Sequence, residues 1–385
     1  MSTNIPGIIV NGQASISGDS SYSSPATVCI LAPVSTLPAS VPSDFWQPLA
    51  WTSSIGVEGE YGSPFNSDGS INSYVSLGAY YAFLGGANTV ITQPYASASL
   101  TGGTSLTDAL SQIQENSAIN LVVAMGLSSS QLSAVSGSIQ SSNNAGFYRR
   151  AILAIDSGSP TLQDLQNAST SIDYYEVMLI GNTAATASNG SALPPSCYAC
   201  EMAGITETLD FDATLTNQLL SGFALDKSYS RAQLSTLIGS GLCCVSSQFG
   251  GNRVVEARVT TQGTALDFNY AGVMNYLSGE LSNYYQNYIG SPLDSGTLLS
   301  IKGQTVSLLN TLETQNAIAG YSNVSVSQNP SSPTQVFVSF TAEWLAPLYQ
   351  IEVNFTFDSS SQTSTPQISS VSSASTAQAS TATTD

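Results

Sequence analysis

Histidine is absent from this chain, and cations are scarce: seven Lys and Arg stand against 25 Asp and Glu in 385 residues, for a net charge of -18. Without histidine no Ser-His-Asp or Cys-His relay can form, nor any metal site with an imidazole ligand. The cations are Arg149, Arg150, Lys227, Arg231, Arg253, Arg258 and Lys302, so the first 148 and the last 83 residues carry none. Nucleic acid and anionic membrane surfaces both require clustered cations. Neither is expected as a partner. Charged residues make up 8% of the chain, against roughly 25% in an ordinary soluble domain, so Ser, Thr, Asn and Gln must supply the surface.

Other signatures are missing too. There is no P-loop and no Gly-x-Gly-x-x-Gly, the motifs that cradle nucleotide phosphates. No stretch approaches the roughly 18 uninterrupted apolar residues of a membrane-crossing helix. The opening "MSTNIPGIIVNGQ" lacks the charged and apolar regions of a secretory signal, so folding in a cytoplasm is expected.

What is present suffices for a packed core. Hydrophobic residues are 42% of the chain, with 18 Tyr and 12 Phe, and the length suits about two to three domains. "ATVCILAP" (26–33), "ANTVITQPY" (87–95), "INLVVAM" (119–125), "YRRAILAID" (148–156) and "YYEVMLIG" (174–181) predict strands. "SINSYVSLGAYYAFLGG" predicts a helix capped by Ser73 and ended by Gly85-Gly86, and "SLTDALSQIQ" (105–114) a second. "AQLSTLIGSGLCCV" (232–245) reads as helix, glycine turn and strand, and 267–290 and 297–318 as two longer helices. Near the end Val336, Val338 and Phe340 form one alternating run. Tyr349, Ile351, Val353, Phe355 and Phe357 form another, beyond Pro347. Ile8, Ile9 and Val10 make a short β-prone run at the other end. The Ser/Thr/Ala-rich residues 359–385 have too little to bury and are expected to be disordered.

Possible chemistry is thin. Glu58 and Glu60, and Glu207, Asp210 and Asp212, are close enough in sequence to converge on one strand face, as a carboxylate-based hydrolase would need. A solvated strand or turn explains them more simply, since close pairs arise by chance among 25 acids. "FNSDGSIN" places oxygens at Asn66, Asp68 and Ser70 around Gly69, like half a calcium loop, but lacks the closing bidentate glutamate. A turn before a helix cap accounts for it. "PPSCYAC" gives a Cys-x-x-Cys at Cys197 and Cys200, with Cys243-Cys244 further on. Neighbouring strand residues point to opposite faces, so the second pair cannot complete a zinc knuckle. Pro194-Pro195 argue against the strand-then-helix setting of a redox motif, and buried thiols are expected instead. No catalytic, cofactor or metal residue is assigned.

Taken in order, the segments resemble the contractile tail sheath family, the outer cylinder of contractile phage tails and related injection machines. The resemblance rests on "PGI" at 6–8, "ATVCILAPV", "SLGAYYAFLGGANTVITQPY", "LPPSCYAC" with "MAGI", "LIGSGLCCV" with "VVEARVT", "LNTLETQNAIAGYSNVSV" and "LAPLYQIEVNFTF". The chain departs from the family pattern at Cys197 and Cys243, where glycine and asparagine are usual. The resemblance implies a mixed α+β and α/β, multi-domain subunit with an α/β core and extended N- and C-terminal β-strand arms. The expected division is an arm at 1–20, core parts at 21–97, 98–258 and 259–346, a strand arm at 347–358, and the tail. It implies a non-enzymatic subunit that polymerises with itself as six-fold rings in a helical array. Its further partners are a tail tube protein, a baseplate and a tail terminator, in a virion tail assembled in the host bacterial cytoplasm. Ile8, Ile9 and Val10 in one arm, and Tyr349, Ile351, Val353, Phe355 and Phe357 in the other, would add strands to neighbouring sheets. The rivals are a self-assembling surface or adhesion protein, and the hydrolase.

Overall fold

The computed structural model describes residues 27–37, 41–187, 189–210, 213–225, 228–247, 250–264, 266–332 and 334–345. The chain divides into two units at Pro347–Leu348, and every described residue belongs to the first. Both arm segments, Lys227, Asp212 and the Ser/Thr-rich tail lie outside the described residues.

In chain order the first elements are β1 (Val28–Val34), β2 (Leu49–Trp51), α1 (Ser54–Tyr61), α2 (Tyr74–Leu84), β3 (Val90–Ala96) and α3 (Leu106–Glu115). There follow β4 (Leu121–Ala124), α4 (Ser129–Asn144), β5 (Arg150–Leu153), α5 (Leu162–Ile172), β6 (Val177–Ile180), β7 (Ala185–Ala187) and β8 (Ala192–Leu193). Then come α6 (Ser196–Thr208), β9 (Leu219–Leu220), β10 (Phe223–Leu225), α7 (Arg231–Gly239), β11 (Leu242–Ser246) and β12 (Asn252–Glu256). The last are α8 (Phe268–Gln286), α9 (Ser295–Thr314), β13 (Gly320–Gln328) and β14 (Val336–Glu343).

The strands of unbroken apolar sequence form the middle of a nine-stranded sheet, in the order β2-β3-β1-β4-β5-β6-β11-β12-β9. From β3 to β11 the neighbours run parallel, and β2 and β12 are antiparallel additions. A parallel sheet is covered on both faces, which is why its strands read as continuous hydrophobic runs. Alternate β1 residues confirm it: Val28, Ile30 and Ala32 join one core cluster, and Cys29 and Leu31 the other. Helices α3, α4, α5 and α7 cover the second face, while α2, α6, α8 and α9 pack against the first. The mixed fold class expected from the sequence is thus borne out. The sheet takes strands from both 21–97 and 98–258, so residue 97 lies in a connection within one sheet.

Local chemistry sets the helix ends. The Ser73 hydroxyl accepts from Ser76 N and opens α2, as the sequence predicts. Ser230 caps α7 and Thr161 caps α5, each in a reciprocal box with the side chain three residues on. Helix α6 is different: every residue from Ser196 to Gly204 is buried. It lies across α2, and a methyl group on Gly204 would run into the Ala82 carbonyl oxygen, as one on Gly85 would into that of Glu201. The crossing depends on residues without side chains.

Two of the scarce cations are spent inside. The buried Arg149 guanidinium donates to the carbonyls of Ile113, Gln114 and Asn116, where α3 presents its negative end. Arg150 donates to the Phe268 carbonyl at 3.2 Å, lies 4.7 Å from the centre of that ring, and backs onto Gly272. It ties β5 to the first turns of α8.

Candidate assembly interface

The described residues gather no group of His, Cys, Asp and Glu able to hold a metal. No described helix is long and apolar enough to cross a membrane. Of the carboxylates named above, Glu58, Glu60, Glu207 and Asp210 lie among the described residues. Glu58 and Glu60 sit on α1 and not on a strand. Two residues apart on a helix they point in different directions, which corrects the shared-face expectation. Glu207 lies in the last turn of α6 and accepts from the Asn88 and Thr89 backbone, and burial raises its carboxyl. Asp210 is exposed beyond the helix.

The calcium-like loop is a closed turn. Phe65 and Ile71 bridge its base, and Ser70 donates from both N and Oγ to Asp68 Oδ1, at 2.9 and 2.6 Å. These bonds hold the Asp68 carboxyl below its ordinary range. The turn delivers the chain to the Ser73 cap, as expected.

All five cysteines are buried as free thiols. Cys243 and Cys244 fall in different core clusters, on opposite faces of β11. The other pair needs a correction: Cys197 and Cys200 do open a helix after a strand, β8 then α6, although Pro194-Pro195 precede them. Proline is tolerated where a helix begins, because the missing N–H has no intrahelical partner there. Burial pushes both thiols well up, with Cys200, Asp156 and Glu201 raising Cys197 further and Asp156 raising Cys200.

What the Pro-Pro-Ser segment does is visible in Asp156. Its carboxylate accepts from Ser196 N and Oγ, and from Gly126 N at the end of β4. A carboxylate at a helix N-terminus is favoured by the dipole. Burial nevertheless raises Asp156 to about 6, with the Ser196 and Gly126 bonds opposing. Sequence analysis missed this contact because forty residues separate the partners.

The C-terminal elements build a small sheet of their own. β13 and β14 form a separate two-stranded antiparallel sheet, offset between Ser322 and Ser325 where Asn323 is left-handed. Tyr321, Val324, Phe340 and Ala342 face the core, and the Tyr321 hydroxyl donates to Asn310 on α9. Phe337 stays 48% exposed. Trp344 then anchors the chain edge-on against Tyr270, with ring centres 5.2 Å apart. Among the described residues no further strand joins this sheet, so each of its strands has an outer edge. Protective Lys or Pro is absent from both strands, and Glu343 is their only charge. Leu345 is the last described residue, directly before the predicted C-terminal arm.

No family model matches the chain. It is 24% identical over 332 residues to the tail sheath protein of Mycobacterium phage Bxz1, covering 81% of this chain and 56% of that protein. The chain thus spans about half the length of that relative. Among solved structures it is similar to the helical sheath of the anti-feeding prophage in its contracted state. The TM-score is 0.67 at 16% identity, over 92% of this chain and 100% of that one. A chain of the six-fold-symmetrised baseplate of the same prophage gives a TM-score of 0.68 at 16% identity, over 92% and 99%. The resemblance read from the sequence is borne out: the chain has the fold of contractile sheath subunits.

Proposed function

We propose that this chain is the structural subunit of a contractile tail sheath, polymerising as six-fold rings in a helical array around a tail tube. The observation that carries the proposal is the fold match, which takes in the whole of a subunit from a contracted sheath. The likeness to a phage tail sheath protein supports a role as a component of a virion tail; assembly in the bacterial host is part of the proposal. The likeness to a baseplate chain supports a baseplate as partner; a tail terminator completes the set.

Residues 1–20 and 347–358 serve as arms. Ile8, Ile9 and Val10, and Tyr349, Ile351, Val353, Phe355 and Phe357, supply strands that neighbours accept beside β13 and β14. The support is physical. A strand edge without lysine or proline to block it is a template for strand addition, and two strands alone are marginal. Contacts of this head-to-tail kind do not close on a pair and therefore build tubes. Contraction is then a switch between two packings of one folded subunit, with the arms holding neighbours together. No step of it needs a catalytic group.

The test is negative-stain electron microscopy of the purified chain at rising concentration, with and without tube protein. Hollow tubes or stacked six-fold rings are the expected result. Monodisperse particles under both conditions would refute the proposal.

A further inference from the structure

One buried carboxylate holds the outer end of the large sheet. Glu201, in the middle of α6, is 2% exposed. Its Oε1 accepts from Ser221 N at 2.6 Å and from the Ser221 hydroxyl at 3.0 Å. Its Oε2 is buried and accepts from no described residue. Ser221 and Gly222 form the exposed turn between β9, the last strand of the nine-stranded sheet, and β10 of the small sheet. Gly222 is left-handed (φ +80°), and a methyl group on it would run into the Leu84 side chain on α2. Strand β9 is two residues long and, among the described strands, pairs with β12 alone. The segment is pinned at both ends. Asn217 N donates to the Val254 carbonyl, and Phe223 packs edge-on to Tyr198 with ring centres 4.5 Å apart. Between these anchors Leu220 is the one buried side chain, while Leu219 is 51% exposed.

Among the described residues, the charged groups around Glu201 are engaged elsewhere. Helix α6 packs on α2 and β9, and on β1, β4, β5 and β6 of the sheet. From α2 Tyr81 feels the Glu201 charge, and within α6 Cys197 does; burial pushes both groups up, so both are neutral near pH 7. Strands β4, β6 and β9 bring no titratable side chain, and Cys29 of β1 lies on the other face. Arg150 of β5 is taken up by Phe268, Asp267 and Glu176. On the β12 side Arg253 donates to the Asn217 carbonyl, and Arg258 pairs with Glu256. Asp156 acts on the two thiols of α6, and Glu207 is bonded to the Asn88 and Thr89 backbone. Burial therefore dominates and raises Glu201 to about 7, with the Ser221 bonds opposing. An ionised carboxylate in a dry site is costly unless water or a cation reaches it, and the exposed Ser221–Gly222 turn is where water can enter.

We infer that Glu201 is an acid-closed latch on residues 219–221: protonated, it leaves β9 seated on the sheet, and ionised, it draws water in and releases β9 from β12. Release uncovers the backbone of β12 at Asn252 and Arg253, the residues that β9 pairs with. The direction follows from where the proton is held. The closed state keeps the Glu201 proton more tightly than the open state, in which the carboxyl is in water and titrates near its ordinary value of about 4.3. Opening is therefore rarest near pH 4, grows more frequent as pH climbs to about 7, and levels off above that. This latch goes beyond the sheath proposal and does not depend on it.

Hydrogen exchange on the full chain, read by mass spectrometry at about pH 5 and about pH 7.5 and corrected for intrinsic rates, tests the inference. The amides of Leu219, Leu220 and Ser221 should open at least about tenfold more often at the higher pH, while those of β4, β5 and β6 stay protected. Glu201→Gln keeps the shape and removes the charge, and should leave 219–221 equally protected at both pH values. Asp156→Asn, at the head of the same helix, should leave the pH response of 219–221 in place. In the wild type, the carboxyl carbon of Glu201 followed by NMR should titrate over the same interval as the exchange, which keeps the test open if Glu201→Gln does not fold. Equal protection of 219–221 at both pH values in the wild type would overturn the inference. So would an undiminished response in a folded Glu201→Gln protein, or a response shared equally by β4 to β6, which would belong to the whole fold.

Discussion

Asp156 Oδ2 accepts a 2.6 Å hydrogen bond from the Ser196 hydroxyl, and its Oδ1 a 3.0 Å bond from the Ser196 backbone N–H. One carboxylate thus fixes the start of α6, the most deeply buried helix, to the ends of the central strands. Removing it strands the donors of Ser196 and Gly126. Asp156→Ala should lower stability by about 2–4 kcal/mol, read as a lower urea midpoint. A midpoint equal to that of the wild type would remove Asp156 from this role.

Acid should stabilise the fold. Burial raises Asp156 to about 6 and Glu201 to about 7, with Ser196 and Gly126 opposing in the first case and Ser221 in the second. Burial raises Glu176 too. A raised folded pKa means the folded state holds more protons, so this stability is complete below the unfolded values near 4 and is lost as pH climbs through 6 to 7. The net charge of -18 acts in the same direction through self-repulsion. The urea midpoint should rise from pH 8 to pH 5, and Asp156→Asn should flatten that rise. A midpoint falling over the same interval would contradict the assignment.

The crossing of α2 and α6 should be intolerant of volume. Gly204→Ala puts a methyl group against the Ala82 carbonyl, in a contact made by backbone on both sides. The expected loss is about 3 kcal/mol, visible as a lower midpoint in thermal unfolding. Gly137→Ala, on α4 with open space around it, is the control and should stabilise slightly.

The thiols should be silent in the native protein. All five are buried, and burial pushes Cys29 and Cys244 up to about 12. A disulfide-exchange reagent should label none under native conditions and all five in guanidinium. Rapid native labelling of Cys197 or Cys200 would reopen a redox role for the Cys-x-x-Cys.

What could be read from the sequence followed from how each element is covered. β1 and β3 to β6 were legible because burial on both faces demands unbroken apolar runs. Helix α2 was legible because Ser73 and Gly85 mark its ends. Helix α4 was not: Leu132, Val135 and Ile139 keep helical spacing, but Ser, Gly and Asn fill the rest of "SSQLSAVSGSIQSSNN". Helix α6 hid for the opposite reason, since a helix buried all round has no polar face and hence no period. Glycines at 56 and 59 disguised α1, so Glu58 and Glu60 were assigned to a strand. The hairpin β13–β14 showed its strands, but its pairing needed the structure.

The central claim is that neighbouring subunits are joined through the terminal arms. The most direct test is electron microscopy of Val353→Asp beside the wild type, in the same buffer and with the same tube protein. A charge on the apolar face of the C-terminal strand should abolish tubes, while the circular dichroism and unfolding midpoint of the monomer stay those of the wild type. Long tubes formed by a well-folded Val353→Asp protein would contradict the account.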